Sequence, residues 1–192
     1  MDKLPGSESS PVFGHNHFYE NQGMLCACVY AIMSKTNENG VQCMRVVEYF
    51  SADDRDYWLE RIGESDWGAG QYLFELLKQQ KLKQLVGENT KVLMLTEGDR
   101  LVSFCTLAEK DDIQPTELTP WIGWVYTFPA YRGNRHAGKL LYHAEALAKE
   151  AGMEAVYIST NHDGLYEKYG YTFFQMMKDI GGEDSRVYVK RL

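Results

Sequence analysis

A mixed α+β fold is predicted by three features of the 192-residue chain. Its segments read in the order β-α-α-β-β-β-α-β-α-β-β, which lacks the regular βαβ alternation of a doubly wound sheet. The stretch KVLMLTEGDRLVSFCTL is two apolar runs joined at Glu97-Gly98-Asp99, a hairpin signal. Ala137, Leu140, Leu141, Ala144, Leu147, Ala148 and Ala151 repeat at helical spacing, and Gly152 closes the run.

The elements follow from local chemistry. MRVVEYF, from Met44, is rich in β-formers and reads as a strand. SADDRDYWLERIG reads as a helix with Ser51 as N-cap and Gly63 as stop. QYLFELLKQQKLKQLVG places Tyr72, Leu73, Leu76, Leu77, Leu85 and Val86 on one helical face before Gly87. After the hairpin, KDDIQPTELTP is a loop and WIGWVYTF a strand stopped by Pro129. AVYIST is a short strand, DGLYEKYG a short helix, and YTFFQMM and SRVYVKRL the final strands. PGSESSP and KTNENG are loop-like, so residues 1–43 read as an N-terminal extension and 44–192 as the folded domain.

Bulk properties exclude several classes. The charge of −7 argues against nucleic-acid binding, which depends on clustered Lys and Arg. The longest apolar run, MLCACVYAIM, is shorter than the ~20 residues that span a bilayer, and no basic segment just before it suggests a signal peptide. No membrane partner is expected, and the chain reads as cytoplasmic. Cys26, Cys28, Cys43 and Cys105 fit a reducing compartment. The C-x-C of Cys26 and Cys28 and the H-x-H of His15 and His17 match no common zinc spacing, so no metal is expected.

The segment YRGNRHAGKLL approximates a nucleotide-binding P-loop, with Gly133, four residues, Gly138 and Lys139. The hydroxyl that such a loop offers Mg²⁺ is replaced by Leu140, and AVYIST ends in Ser159 and Thr160 without a carboxylate. The P-loop reading therefore fails. Its physics survives: a glycine-containing turn opens a helix whose first N–H groups lack partners and carry the positive end of the dipole. Arg132, Arg135 and Lys139 surround that terminus, and no Asp or Glu lies between Glu117 and Glu145. A basic island on an acidic chain marks an anion site.

The wider segment VYTFPAYRGNRHAGKLL resembles the acetyl-CoA-binding motif of the GNAT N-acetyltransferase superfamily: a strand, Pro-x-Tyr-Arg, then Arg/Gln-x-x-Gly-x-Gly/Ala opening a helix. Arg132 and Ala137 match, and Arg135 stands where glycine is most usual. NHDGLYEKYGY resembles the family's later segment through Asn161, Tyr166, Gly170 and Tyr171. The resemblance implies a GNAT-like, mostly antiparallel central sheet flanked by helices, with splayed central strands. It implies acetyl-CoA as cosubstrate, bound by Arg132, Gly133, Asn134, Arg135, His136, Ala137, Gly138 and Lys139, with the backbone N–H groups of residues 135–140 holding its pyrophosphate. Main-chain groups of Val125, Tyr126 and Thr127 would pair with the pantetheine arm, and an N–H near Val125 would face the oxyanion. Asn161 would bond the pantetheine amides. Tyr166 is the candidate general acid, because a phenol with a pKa near ~10 is protonated at neutral pH.

The resemblance thus implies acetyl transfer to a primary amine, with a small molecule as the expected acceptor. The base stays open among Glu48, Glu117, Asp111, Asp112 and a water chain. The stretch DDRDYWLERIGESDW, with Trp58, Trp67, Trp121 and Trp124, is expected to shape an acidic, aromatic acceptor site. Homodimerisation is common in the family. The alternatives are a GNAT-like module that binds or senses acyl-CoA without catalysis, and an interaction module with residues 1–42 as its arm.

Overall fold

The computed structural model describes residues 43–192. The expectations for the N-terminal extension, its C-x-C and its H-x-H lie outside the described residues.

Seven strands form one sheet: β1 (Met44–Glu48), β2 (Lys91–Glu97), β3 (Arg100–Ala108), β4 (Trp121–Thr127), β5 (Ala155–Thr160), β6 (Thr172–Lys178) and β7 (Asp184–Arg191). Their spatial order is β1-β2-β3-β4-β5-β7-β6. Every pairing is antiparallel except β4 with β5. A parallel pair needs a crossover, and the helix between these two strands supplies it.

Both faces of the sheet centre are covered, which explains why β2 and β3 read as nearly unbroken apolar runs. The four helices are α1 (Arg55–Gly63), α2 (Gly68–Lys78), α3 (Leu82–Val86) and α4 (His136–Glu150). Leu140, Leu141, Ala144 and Ala148 of α4 pack with Leu93, Leu95, Ile122 and Ile158 on one face. Ile62, Leu73, Leu77 and Leu82 from the first three helices pack with Val92, Met94 and Phe104 on the other. Each fully buried Leu or Ile contributes ~1.5–3 kcal/mol, so these two layers are the main stabilisation.

The helical readings need three corrections. Ser51 does not cap α1; it belongs to a 3₁₀ turn, Tyr49–Ser51, and its N–H donates to Glu48 Oε2 at 2.8 Å. The predicted single helix over 71–87 is two, because Gln80 adopts φ +57 after α2. There Gln80 N–H donates to Leu77 O (3.0 Å) and Lys81 N–H to Leu76 O (2.8 Å), the paired bonds of a Schellman ending. This break rotates the apolar stripe of α3, so Leu85 is exposed rather than in the core; Tyr72, at the edge of the α2 stripe, is exposed as well. The short helix in DGLYEKYG is a 3₁₀ turn, Tyr166–Tyr169.

That turn is pinned to α4 by a buried polar cluster. Tyr171 O–H donates to Glu145 Oε1 at 2.9 Å, and Lys190 Nζ donates to Glu145 Oε2 at 2.7 Å and to Tyr169 O at 2.9 Å. Glu145 is 7% exposed, so its carboxylate depends on these partners. Lys190→Met is expected to destabilise the fold by about 2 kcal/mol, because it strands a buried charge and an unpaired carbonyl. Urea unfolding at neutral pH checks this; an unchanged midpoint contradicts it.

Candidate active site

The site begins where β4 stops pairing. Phe104 pairs with Tyr126 and Thr106 with Gly123, so Trp124 and Val125 both stand opposite Cys105. That is a β-bulge, which takes a residue out of the ladder and re-aims its main chain. Trp124 holds φ +47, an uncommon conformation for an aromatic residue, and its Nε1–H donates to Ala69 O at 2.9 Å. On the opposite edge, β4 pairs with β5 at Trp121 and Tyr157 and diverges beyond them.

Two cavities occupy the divergence. A cleft of about 610 Å³ lies toward the loop before α4, and a chamber of about 290 Å³ lies toward the loop before β4 and the β6–β7 turn. Both are lined by Trp67, Val125, His162 and Tyr166. The bulge and Tyr166 are therefore shared by the two cavities.

The loop that closes the cleft has the features of an anion site. Gly133 takes φ +86 and Arg135 φ +56, so the chain turns through two left-handed positions before α4 starts. Arg135 is the residue immediately before the helix, and no acidic residue lies in the first turn. Its left-handed φ accounts for the glycine usual at this place in the motif it resembles. His136 is buried, and its Nδ1 has no partner among the described residues. Burial, then the Lys139 ammonium, holds the imidazole below its ordinary pKa, with Glu97 acting the other way. His136 is thus neutral, and its unpartnered nitrogen marks a place where a polar group belongs.

Of the sequence-predicted site residues, Val125, Tyr126, Thr127, Arg132, Gly133, Arg135, His136, Ala137 and Tyr166 line the cleft. Asn161 lines the smaller chamber instead. Three others lie off the cleft. Asn134 Nδ2 donates to Tyr131 O and Arg132 O, both at 3.3 Å, and so staples the turn. Lys139 Nζ approaches Met44 Sδ at 3.4 Å, toward β1. Gly138 makes room for a ring: a Cβ there would come within 2.5 Å of Tyr169 Cε1. Arg132 has two tasks that its spacing did not show. Its Nε–H donates to Thr127 O at 3.0 Å, and its NH2 lies 3.5 Å from Asp66 Oδ1.

Asp66 and Trp67 form the far wall. Tyr126 O–H donates to Asp66 Oδ1 at 2.6 Å, and Trp67 stacks on Tyr126 with centroids 6.0 Å apart. The rest of the predicted acidic acceptor wall is elsewhere. Asp53, Asp54 and Asp56 open on a separate surface cavity of about 880 Å³, and Trp58 and Trp121 are core residues. Trp67 and Trp124 do reach the chamber. The acids that line it, Asp112 and Asp179, come from the loop before β4 and from the β6–β7 turn. Asp179 carried no spacing signal, because sheet order alone brings its turn to this place.

The candidate bases also separate. Glu48 is consumed by the Ser51 N–H and, at 3.4 Å, the Val92 N–H. Glu117 is exposed and lines neither cavity. Tyr166 is 6% exposed, and burial, with lesser contributions from Cys105, Asp111 and Tyr169, holds its phenol well above the ordinary tyrosine pKa.

The fold has many relatives among solved structures. A protein of Desulfovibrio desulfuricans classed with the GNAT acetyltransferases shares 16% identity at a TM-score of 0.59, covering 78% of this chain and 99% of that one. An acetyltransferase of Streptococcus agalactiae shares 20% identity at 0.55, covering 78% and 98%. The aminoglycoside 6'-N-acetyltransferase of Enterococcus faecium shares 11% at 0.57, covering 77% and 96%. No protein of curated function matches the sequence significantly. The model of the acetyltransferase (GNAT) family matches residues 47–171, which take in the bulged strand, the anion loop and the Tyr166 turn; the chain belongs to that family.

Proposed function

We propose that this chain is an N-acetyltransferase that moves an acetyl group from acetyl-CoA to a primary amine of a small molecule. The observation that carries the reading is the pair of cavities that meet at the Val125 bulge and Tyr166, one against an anion loop and one lined by carboxylates. Bound acetyl-CoA supplies the acetyl group activated as a thioester. The anion loop fits its pyrophosphate: Arg135 contributes charge, the first turn of α4 contributes free N–H groups, and His136 contributes an unpartnered nitrogen.

The remaining roles belong to the strand and the turn. Main-chain groups of Val125 and Thr127 pair with the pantetheine arm. The Val125 N–H, released by the bulge, donates to the carbonyl oxygen as negative charge develops there. Tyr166 donates a hydrogen bond to the departing sulfur. Its raised pKa keeps it protonated at every working pH. The same shift makes full proton transfer uphill, so Tyr166 acts first as a donor and passes on a proton only as one returns to it. Residues 44–192 form this catalytic domain. No helix among the described residues is long and apolar enough to cross a membrane. Among the described residues Cys43 and Cys105 form no disulfide, which suits a reducing cytoplasm.

Calorimetric titration of acetyl-CoA into the purified protein tests the reading, followed by a thiol-release assay with polyamines, aminoglycosides and amino acids as acceptors. Micromolar binding and turnover of one class are expected. A folded protein that binds no acetyl-CoA overturns it.

A further inference from the structure

The acceptor chamber has a feature that its lining residues alone do not show. Gly123 of β4 faces it, and the space its side chain would fill is bounded by two polar atoms. A Cβ at 123 would stand 2.9 Å from Asp111 Oδ2 and 3.2 Å from Thr106 Oγ1. The glycine therefore lets the Asp111 carboxylate pack directly against β4, beside the chamber that Gly123 lines.

The carboxylate is held in a fixed place. Thr106 is fully buried, and its Oγ1 has no hydrogen-bond partner among the described residues. Asp111 is half-buried, and its Oδ1 accepts the N–H of Asp112 at 2.8 Å, which fixes the carboxylate and turns Oδ2 toward Gly123. No lysine or arginine lines the chamber. The titratable groups around it are Asp112 on the same loop, Asp179 on the β6–β7 turn, His162 after β5 and the Tyr166 phenol. The charge of this lining suits a cation.

We propose that Asp111 is the general base of this enzyme: an ammonium group held in the chamber beside Gly123 gives its proton to Asp111 Oδ2 before it attacks the thioester. The inference rests on the acetyl-transfer reading above and assigns a residue to a step that reading leaves open. Of the two protons the ammonium loses, the first goes to Asp111 and then to solvent. Its freed lone pair forms the N–C bond. The C–S bond breaks with its electron pair on sulfur, and the second amine proton balances the one that sulfur gains. Asp112 and Asp179 at the chamber wall hold further positive charge, so a diamine or polyamine fits better than a monoamine.

Asp111 also has the acidity the step requires. Burial, then the neighbouring Asp112 charge, pushes its carboxyl up to about 7, against a smaller lowering by the Asp112 N–H. A base that titrates near working pH combines a populated ionised form with useful proton affinity.

The test uses the full chain with spermidine, kanamycin and benzylamine as acceptors and thiol release as readout. For any amine turned over, kcat/KM is expected to rise tenfold per pH unit up to about pH 7 and then level. Asp111→Asn should lower kcat about 100-fold or more and abolish that rise, with the acetyl-CoA Kd unchanged by calorimetry. Gly123→Ala should also lower kcat, because a Cβ 2.9 Å from Asp111 Oδ2 pushes the carboxylate out of its place. Glu117→Gln should behave as the parent. Asp111→Asn turnover within about threefold of the parent, or the same pH rise in that variant, overturns the assignment. If acetyl-CoA binds and no amine is acetylated, the transfer reading fails separately. Carbon-13 NMR of aspartate-labelled protein then decides Asp111. Titration near 7 that shifts with spermidine retains it as the cation-facing base, and titration in the ordinary range near ~4 removes it.

Discussion

Tyr166→Phe is expected to lower kcat by about 100-fold while acetyl-CoA binds as tightly as before. The substitution removes one oxygen from a ring that is 6% exposed and packed edge-on to Tyr171, so the fold has little to lose. What it removes is the donor at the junction of the two cavities. A donor used only as the C–S bond breaks is a transition-state contact, so the loss belongs in kcat and not in the cosubstrate Kd. The pH dependence carries a second signature. The phenol is held above its ordinary value, so it stays protonated through the working range. The parent profile should therefore show no alkaline fall below about pH 10 from this residue. Steady-state kinetics of the two proteins from pH 6 to about pH 10 check both points. Turnover and binding both unchanged in the Phe variant would exclude Tyr166 from the chemistry.

Arg135→Glu is expected to weaken acetyl-CoA binding by about 10- to 100-fold, because it turns a charge at the anion loop from attraction to repulsion at a helix N-terminus. Charge and backbone can be separated here. Arg135 holds φ +56, which costs a non-glycine residue ~1 kcal/mol. Arg135→Gly removes the charge but relaxes the backbone, so it should weaken binding less than Glu does and should not lower stability. Calorimetry and thermal unfolding of the three proteins give the two readouts. An unchanged Kd in the Glu variant means that the pyrophosphate lies elsewhere. A Gly variant less stable than the parent means that the left-handed turn is not strained.

The local features were legible because their causes are local. Helical spacing from Ala137 to Ala151 gave α4, and Gly152 ends it through paired bonds to Lys149 O (2.9 Å) and, from Met153, to Ala148 O (3.0 Å). The Glu97-Gly98-Asp99 turn gave the β2–β3 hairpin, whose register runs from Lys91 with Leu107 to Glu97 with Arg100. The basic island around Arg132 and Arg135 lies on the cleft, since a glycine turn before a helix makes an anion site wherever the helix is placed.

Other features failed because neighbours outbid local signals. Lys139 looked like part of the phosphate site from its spacing, yet its position on α4 sends it toward β1. Gly138 looked like a phosphate glycine, yet the Tyr169 ring is what requires it. Ser51 is a good N-cap type, but the Glu48 carboxylate took its N–H and started a tighter turn.

The sequence by itself therefore determined most element types, the glycine-containing turn before α4 and the motif that carries the family, because each depends on residues a few positions apart. Only the tertiary structure decided the acceptor side. The β4 bulge at Trp124 and Val125, the parting of β4 from β5, and the meeting of Asp111, Gly123 and Asp179 join segments dozens of residues apart. Strand order and register bring those groups together, and no spacing along the chain encodes either one.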